Sequence, residues 1–128
     1  MNVTALDHYN IRGPLSLMEK LCEFYRDALG LVVGPRPPFD VPGFWLYADD
    51  KPLVHLTVVE AGGHESSLPL AGHFAHIAFR CADLATARSR LDAMDLDYTT
   101  ELVPSLHQVQ LFFRDPAGIR IELNITEN

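Results

Sequence analysis

Two stretches of the chain place polar residues at the centre of strands that are otherwise apolar. In residues 53–59, Val54, Leu56 and Val58 alternate with His55 and Thr57, and in residues 118–125, Ile119, Ile121, Leu123 and Ile125 alternate with Arg120, Glu122 and Asn124. A period of two predicts strands with one face toward a core and the other carrying chemistry. Between residues 15 and 29 the spacing changes: Leu17, Leu21, Phe24, Tyr25, Ala28 and Leu29 recur at helical intervals, and Gly30 supplies a stop. Leu84, Ala87, Leu91 and Met94 repeat that spacing behind Asp83, a residue suited to cap a helix. Further strands are predicted over residues 4–12, 31–35, 43–48, 74–81, 97–102 and 107–113. Residues 60–72, with three glycines, read as a linker.

The order β-α-β-β-β therefore occurs twice, over residues 4–60 and 73–126. The duplication is visible in the residues themselves. Leu6-Asp7-His8-Tyr9-Asn10-Ile11-Arg12 and Phe74-Ala75-His76-Ile77-Ala78-Phe79-Arg80 each carry histidine third and arginine last, 68 positions apart. His55 and Glu122 lie 67 apart, which keeps the same period. Alternation puts Leu6, His8 and Asn10 on one face of the first strand. Asp115-Pro116-Ala117-Gly118 suits successive turn positions and predicts a hairpin between the last two strands.

Composition narrows the class. At 128 residues and 48% hydrophobic, the chain is expected to form a single α+β domain whose halves share a core. Ten basic against 17 acidic residues give a net charge of −7 without a basic cluster, so nucleic acid and anionic membranes are poor partners and a small molecule is favoured. No apolar run approaches the ~20 residues of a membrane span, and a cytoplasmic location is expected. Cys22 and Cys81 lack metal-type spacing and are expected to be buried thiols. A phosphate-binding glycine loop and a dinucleotide fingerprint are absent from the sequence.

An ionised glutamate at a half-buried strand centre needs a cation, a proton or hydrogen bonds. His8, His55, His76 and Glu122 can all face a cavity, and two histidines with one carboxylate form a donor set that holds a divalent metal with positions left open. Asn10 and Asn124 share strand faces with these residues, Gln110 occupies a strand centre near the Asp115-Pro116-Ala117-Gly118 turn, and all three are candidates to hydrogen-bond substrate or orient a ligand. Trp45, with Phe44, follows a proline-rich loop (Pro35, Pro37, Pro38) that could border a site, and is a candidate apolar wall. His64, His73 and His107 are expected in solvent. Arg12 and Arg80, at strand ends, could meet an anionic group or simply lie at the surface.

The paired modules, the His8 and His76 strands, Phe24-Tyr25-Arg26-Asp27-Ala28-Leu29-Gly30-Leu31, and Arg114-Asp115-Pro116-Ala117-Gly118 followed by Ile121-Glu122-Leu123 resemble the vicinal oxygen chelate superfamily. That group includes glyoxalase I, bleomycin-resistance proteins and extradiol dioxygenases. The resemblance implies that each module forms half of a cup-shaped mixed sheet with helices outside. It further implies a divalent metal (zinc, nickel, cobalt or iron(II)) held by His8, His76 and Glu122, and a homodimer. The fourth family position falls on His55, where glyoxalase-like members usually have glutamate or glutamine; His55 is thus either a ligand or a catalytic base, with Glu122 the other catalytic candidate. The implied activity is a glyoxalase I-like lyase or isomerase, with an extradiol iron dioxygenase and a metal-free binding protein of the bleomycin-resistance kind as alternatives.

Overall fold

The structure, a computed structural model, describes residues 5–60 and 74–127. The predicted linker over residues 60–72 lies almost wholly outside them, as do His64 and His73. The described residues fall into two compact units, 5–26 with 30–60, and 27–29 with 74–127.

The first unit begins with strand β1 (Tyr9–Gly13), continues into helix α1 (Leu15–Leu29), and returns through β2 (Val32–Gly34), β3 (Gly43–Ala48) and β4 (Lys51–Val58). Its sheet has the order β1-β4-β3-β2. The β1–β4 pair is parallel, whereas the others are antiparallel. A helix between β1 and the rest of the module allows the parallel pairing, since such strands need a long crossover. Gly30 ends α1 in the left-handed region (φ 73°), and its N–H donates to the Arg26 carbonyl.

The helix buries Met18, Leu21 and Tyr25, and β4 buries Val54, Leu56 and Val58 while leaving His55 and Thr57 on its other face. Gly13 lets α1 approach β1 closely, because a Cβ there would stand 3.1 Å from Leu17 Cδ2. The Tyr9 hydroxyl donates to that of Tyr25 at 2.7 Å.

The second unit repeats the plan with β5 (Ile77–Arg80), α2 (Leu84–Ala93), β6 (Thr99–Val103), β7 (Gln108–Arg114) and β8 (Arg120–Thr126). Its sheet order is β5-β8-β7-β6, again with one parallel pair, β5–β8. Asp83 caps α2 by accepting from the Ala85 N–H, and Ala87 and Leu91 are buried. The predicted hairpin joins β7 to β8. Buried Asp115 organises it by accepting from the N–H groups of Ala117 and Ile119, and Gly118 takes a positive φ of 85°.

Three expectations need correction. The first strand starts at Tyr9, and the repeated one at Ile77, so His8 and His76 precede their strands instead of lying within them. Extrapolating the β1–β4 register sets Asp7 against Pro52, whose nitrogen has no hydrogen to donate. Extrapolating the β5–β8 register sets His76 against Arg120, the first residue of β8, and Ala75 against Ile119 in the turn ahead of it. The two cysteines are half-buried, not fully buried. A short 3₁₀ turn at Pro104–Leu106, which periodicity did not anticipate, places His107 in the left-handed region as its exposed C-cap.

Candidate functional site

The register of the parallel pairs shows how the duplication positions chemistry. Asn10 lies opposite His55, and Ala78 lies opposite Glu122. His8 stands two residues before Asn10, and His76 two residues before Ala78. The pair His8/His55 in one sheet thus corresponds to His76/Glu122 in the other, rung for rung.

In the first unit, three rings form a column. Trp45 is the cross-strand partner of His55, and their rings stack with centroids 4.1 Å apart and planes 12° apart. His8 stacks on the opposite face of His55 at 3.7 Å, also at 12°. Phe44 lies on the opposite face, paired with buried Leu56, while Trp45 joins the ring column. Asn10 donates from Nδ2 to Thr57 Oγ1 at 2.9 Å, and its Oδ1 accepts a longer bond from Arg12 Nε.

Hydrogen bonds assign the free nitrogens. His8 Nδ1 is 2.7 Å from Asp7 Oδ1, so a neutral ring donating there keeps its lone pair on Nε2. That bond also holds the Asp7 carboxyl below its usual range. His55 Nε2 is 3.1 Å from the Pro52 carbonyl, which can only accept, so the neutral ring leaves Nδ1 open. Burial, helped by the neighbouring His8 charge, pushes the His55 imidazole below its ordinary value and favours the neutral form.

In the second unit Glu122 is 8% exposed, a deeply buried carboxylate on the polar face of β8. His76 Nε2 approaches its Oε1 at 3.3 Å, and Gln110 Nε2 reaches Oε2 at 3.5 Å while donating a better bond to Asn124 Oδ1 at 3.0 Å. Phe112 stands edge-on to the His76 ring. Gln110 and Asn124 therefore spend their amides chiefly on each other.

Among the described residues, no group of three His, Cys, Asp or Glu side chains is close enough to hold a metal ion. The donors come as pairs. Two donors about 2.0–2.2 Å from one ion lie roughly 3.0–3.5 Å from each other, so the 3.3 Å separation of His76 and Glu122 fits a shared cation. The His8–His55 stack does not: an imidazole binds an ion in its own plane, and two nearly parallel planes 3.7 Å apart cannot both contain it. Only one ring of that pair can ligate a given ion; His8 keeps Nε2 open for it and His55 keeps Nδ1. Two imidazoles and a carboxylate are a chemically suitable set for a divalent first-row metal.

Each unit also carries a cavity. One of about 670 Å³ is lined by His8, Asn10, Trp45, His55, Arg36 and Phe39, among others. One of about 650 Å³ in the second unit is lined by Tyr98, Phe112, Arg114 and Arg120 but reaches neither His76 nor Glu122. Volume does not separate them; the titratable column does. Arg36 and Phe39 were not singled out in the sequence, although the prolines around them had marked the loop. Arg12 and Arg80 line neither cavity.

A sequence model of the Glyoxalase/Bleomycin resistance protein/Dioxygenase superfamily matches residues 5–123. The protein called Glyoxylase I 4 of Arabidopsis thaliana is 26% identical over 126 residues, covering 96% of this chain and 71% of that protein. Among solved structures, a glyoxylase/bleomycin resistance protein/dioxygenase domain from Frankia sp. EAN1pec superposes with a TM-score of 0.73 at 17% identity, covering 98% of this chain and all of that one. Lactoylglutathione lyase from Agrobacterium tumefaciens gives a TM-score of 0.64 at 18% identity, covering 98% and 96%. The two structures establish the α+β fold, and the match over residues 5–123 establishes the lineage: the chain belongs to the Glyoxalase/Bleomycin resistance protein/Dioxygenase superfamily.

Proposed function

We propose that the chain is a metal-dependent enzyme, a glyoxalase I-like lyase or isomerase acting on a small oxygenated substrate, with His8, His76 and Glu122 as ligands to a divalent ion. The observation that carries this reading is the buried Glu122 carboxylate with His76 Nε2 at 3.3 Å, in the register that His8 and His55 occupy in the other sheet. When bound, the ion would supply a positive charge that stabilises negative charge developing on neighbouring substrate oxygens.

The remaining steps belong to the side chains. His55, kept neutral by burial and with Nδ1 unengaged, takes a proton from the carbon beside a carbonyl and returns it, the work of a general base and acid. Trp45 and His8 on either face fix the plane of that ring, so Nδ1 points in one direction. Asp7 holds His8 in the tautomer that presents Nε2. Asn10 offers its amide to substrate oxygens, Gln110 and Asn124 do so on exchanging their mutual hydrogen bond for substrate, and Trp45 gives an apolar wall. The reading includes a homodimer.

Elemental analysis of freshly purified protein tests it. The expected result is near-stoichiometric zinc, nickel or cobalt in the wild type and its loss in Glu122→Gln and His76→Ala. Iron retained under anaerobic purification, with catechol turnover, would move the assignment to an extradiol dioxygenase. Unchanged metal content in both variants, or a freshly purified wild type that carries no metal, would overturn it.

A further inference from the structure

The loop between β2 and β3 brings an arginine into the groove of the first unit, and the sequence surrounds it with apolar groups. The Arg36 guanidinium lies 4.9 Å from the centroid of the Phe39 ring, and Phe39 is in turn 6.3 Å from Trp45. Gly43 makes room for it: a Cβ there would stand 2.8 Å from Arg36 Nη2 and 3.0 Å from Cζ. Phe39 and Val41 remain 55% and 45% exposed on the groove's rim.

The charge is under-used. Arg36 Nη2 donates to the Val41 carbonyl at 2.9 Å, but among the described residues Nε is buried without a hydrogen-bond partner and no carboxylate forms an ion pair with the side chain. Asp40 lines the same groove and likewise makes no ion pair among those residues, and Asp7 is engaged by His8. A guanidinium presents five donors and cannot shed its charge, so one held against aromatic surface with a single carbonyl partner gains from a planar oxyanion.

We infer that the groove lined by Arg36, Phe39, Trp45 and Asn10 binds a small anion with a flat apolar body, an aromatic or conjugated carboxylate, whose carboxylate meets Arg36 while its body lies along Phe39 and Trp45. Asn10 Nδ2 and the Thr57 hydroxyl supply polar contacts at the groove's other side. This names the substrate class for the proposed enzyme and rests on that reading for its catalytic meaning; the binding itself needs no metal.

Trp45 is the chain's single tryptophan, so its fluorescence reports on the groove. Chelator-treated protein is titrated with benzoate and with benzyl alcohol. The expected result is saturable quenching by benzoate, binding at least tenfold weaker for benzyl alcohol, and a tenfold or greater loss for benzoate alone in Arg36→Gln. Asp40→Asn, which removes the groove's unpaired carboxylate, tightens benzoate several-fold and guards against Arg36→Gln failing to fold. Equal affinity for the two probes, no saturable change with either, or benzoate binding that neither variant alters overturns the inference. Because metal is absent throughout, such a failure is separate from loss of the metal assignment, which the Glu122→Gln metal content decides.

Discussion

The imidazole of His55 lies flat against that of His8, with centroids 3.7 Å apart and planes 12° from parallel. Rings so arranged cannot both aim a lone pair at one ion, and only His8 leaves Nε2 unengaged, with Asp7 bound to its Nδ1. His8→Ala is therefore expected to weaken zinc binding at least tenfold, and His55→Ala to change it by less than threefold while abolishing turnover. Competition against a chromogenic chelator measures both. Equal losses in the two variants would make His55 a ligand.

Glu122 is a carboxylate buried in a sheet, a placement that favours function over stability. Its partner His76 is 39% exposed and keeps its access to water when the carboxylate is removed. Glu122→Gln in metal-free protein is expected to be as stable as the wild type or more so, by up to about 1 kcal/mol, in urea denaturation. A loss of about 3 kcal/mol would show that the ion pair holds the fold together.

Two glycines make contrasting demands. At Gly43 a Cβ would sit 2.2 Å from the Leu56 carbonyl oxygen, which is backbone and cannot yield without disturbing β4. Gly43→Ala should cost about 3 kcal/mol or prevent folding. At Gly118 nothing lies within 4 Å, and only the positive φ opposes a side chain, so Gly118→Ala should cost about 1 kcal/mol. Chemical denaturation of the two variants ranks them.

Asp83 accepts hydrogen bonds at the start of α2, from the Ala85 N–H and the Thr86 hydroxyl, and these bonds, the latter foremost, hold its carboxyl below the usual range. A depressed carboxyl contributes stability that is present above its unfolded value, about 3.9, and lost as pH falls through the folded one. Below pH 4 the wild type should lose its advantage over Asp83→Asn, whose cap does not titrate. Parallel thermal melts from pH 3 to pH 7 test this.

The Cys22 thiol is half-buried, and burial, with Glu19 nearby, pushes it up to about 11. Thiolate is the reactive form, so alkylation of Cys22 by iodoacetamide should be slow at pH 8 and accelerate roughly tenfold per pH unit up to pH 10. Peptide mapping by mass spectrometry follows the site.

Much of this architecture could be read from alternation alone. The helix over residues 15–29, the strand over 43–48 and the hairpin at Asp115 stand where periodicity and turn chemistry place them, because each depends on neighbours in the chain. The starts of β1 and β5 depended instead on where the partner strands β4 and β8 begin, at Lys51 and Arg120, which the edge strands' own residues do not encode. In the site, strand-face counting grouped His8 with Asn10 and Glu122 with Asn124, since a period of two needs no tertiary information. The ring column and the Arg36 groove were not legible, because they require the cross-strand register of Trp45 with His55 and the path of a proline-rich loop over Gly43.

His55 and Glu122 occupy corresponding rungs of separate ladders, so neither one's backbone pairing constrains what stands at the other. A duplicated scaffold of this sort lets natural variation exchange an imidazole for a carboxylate in one copy and retune the acid-base character of the protein while the sister copy keeps its inherited donor. His55→Glu, which would make the copies chemically alike at that rung, is the substitution by which such divergence could be run backwards.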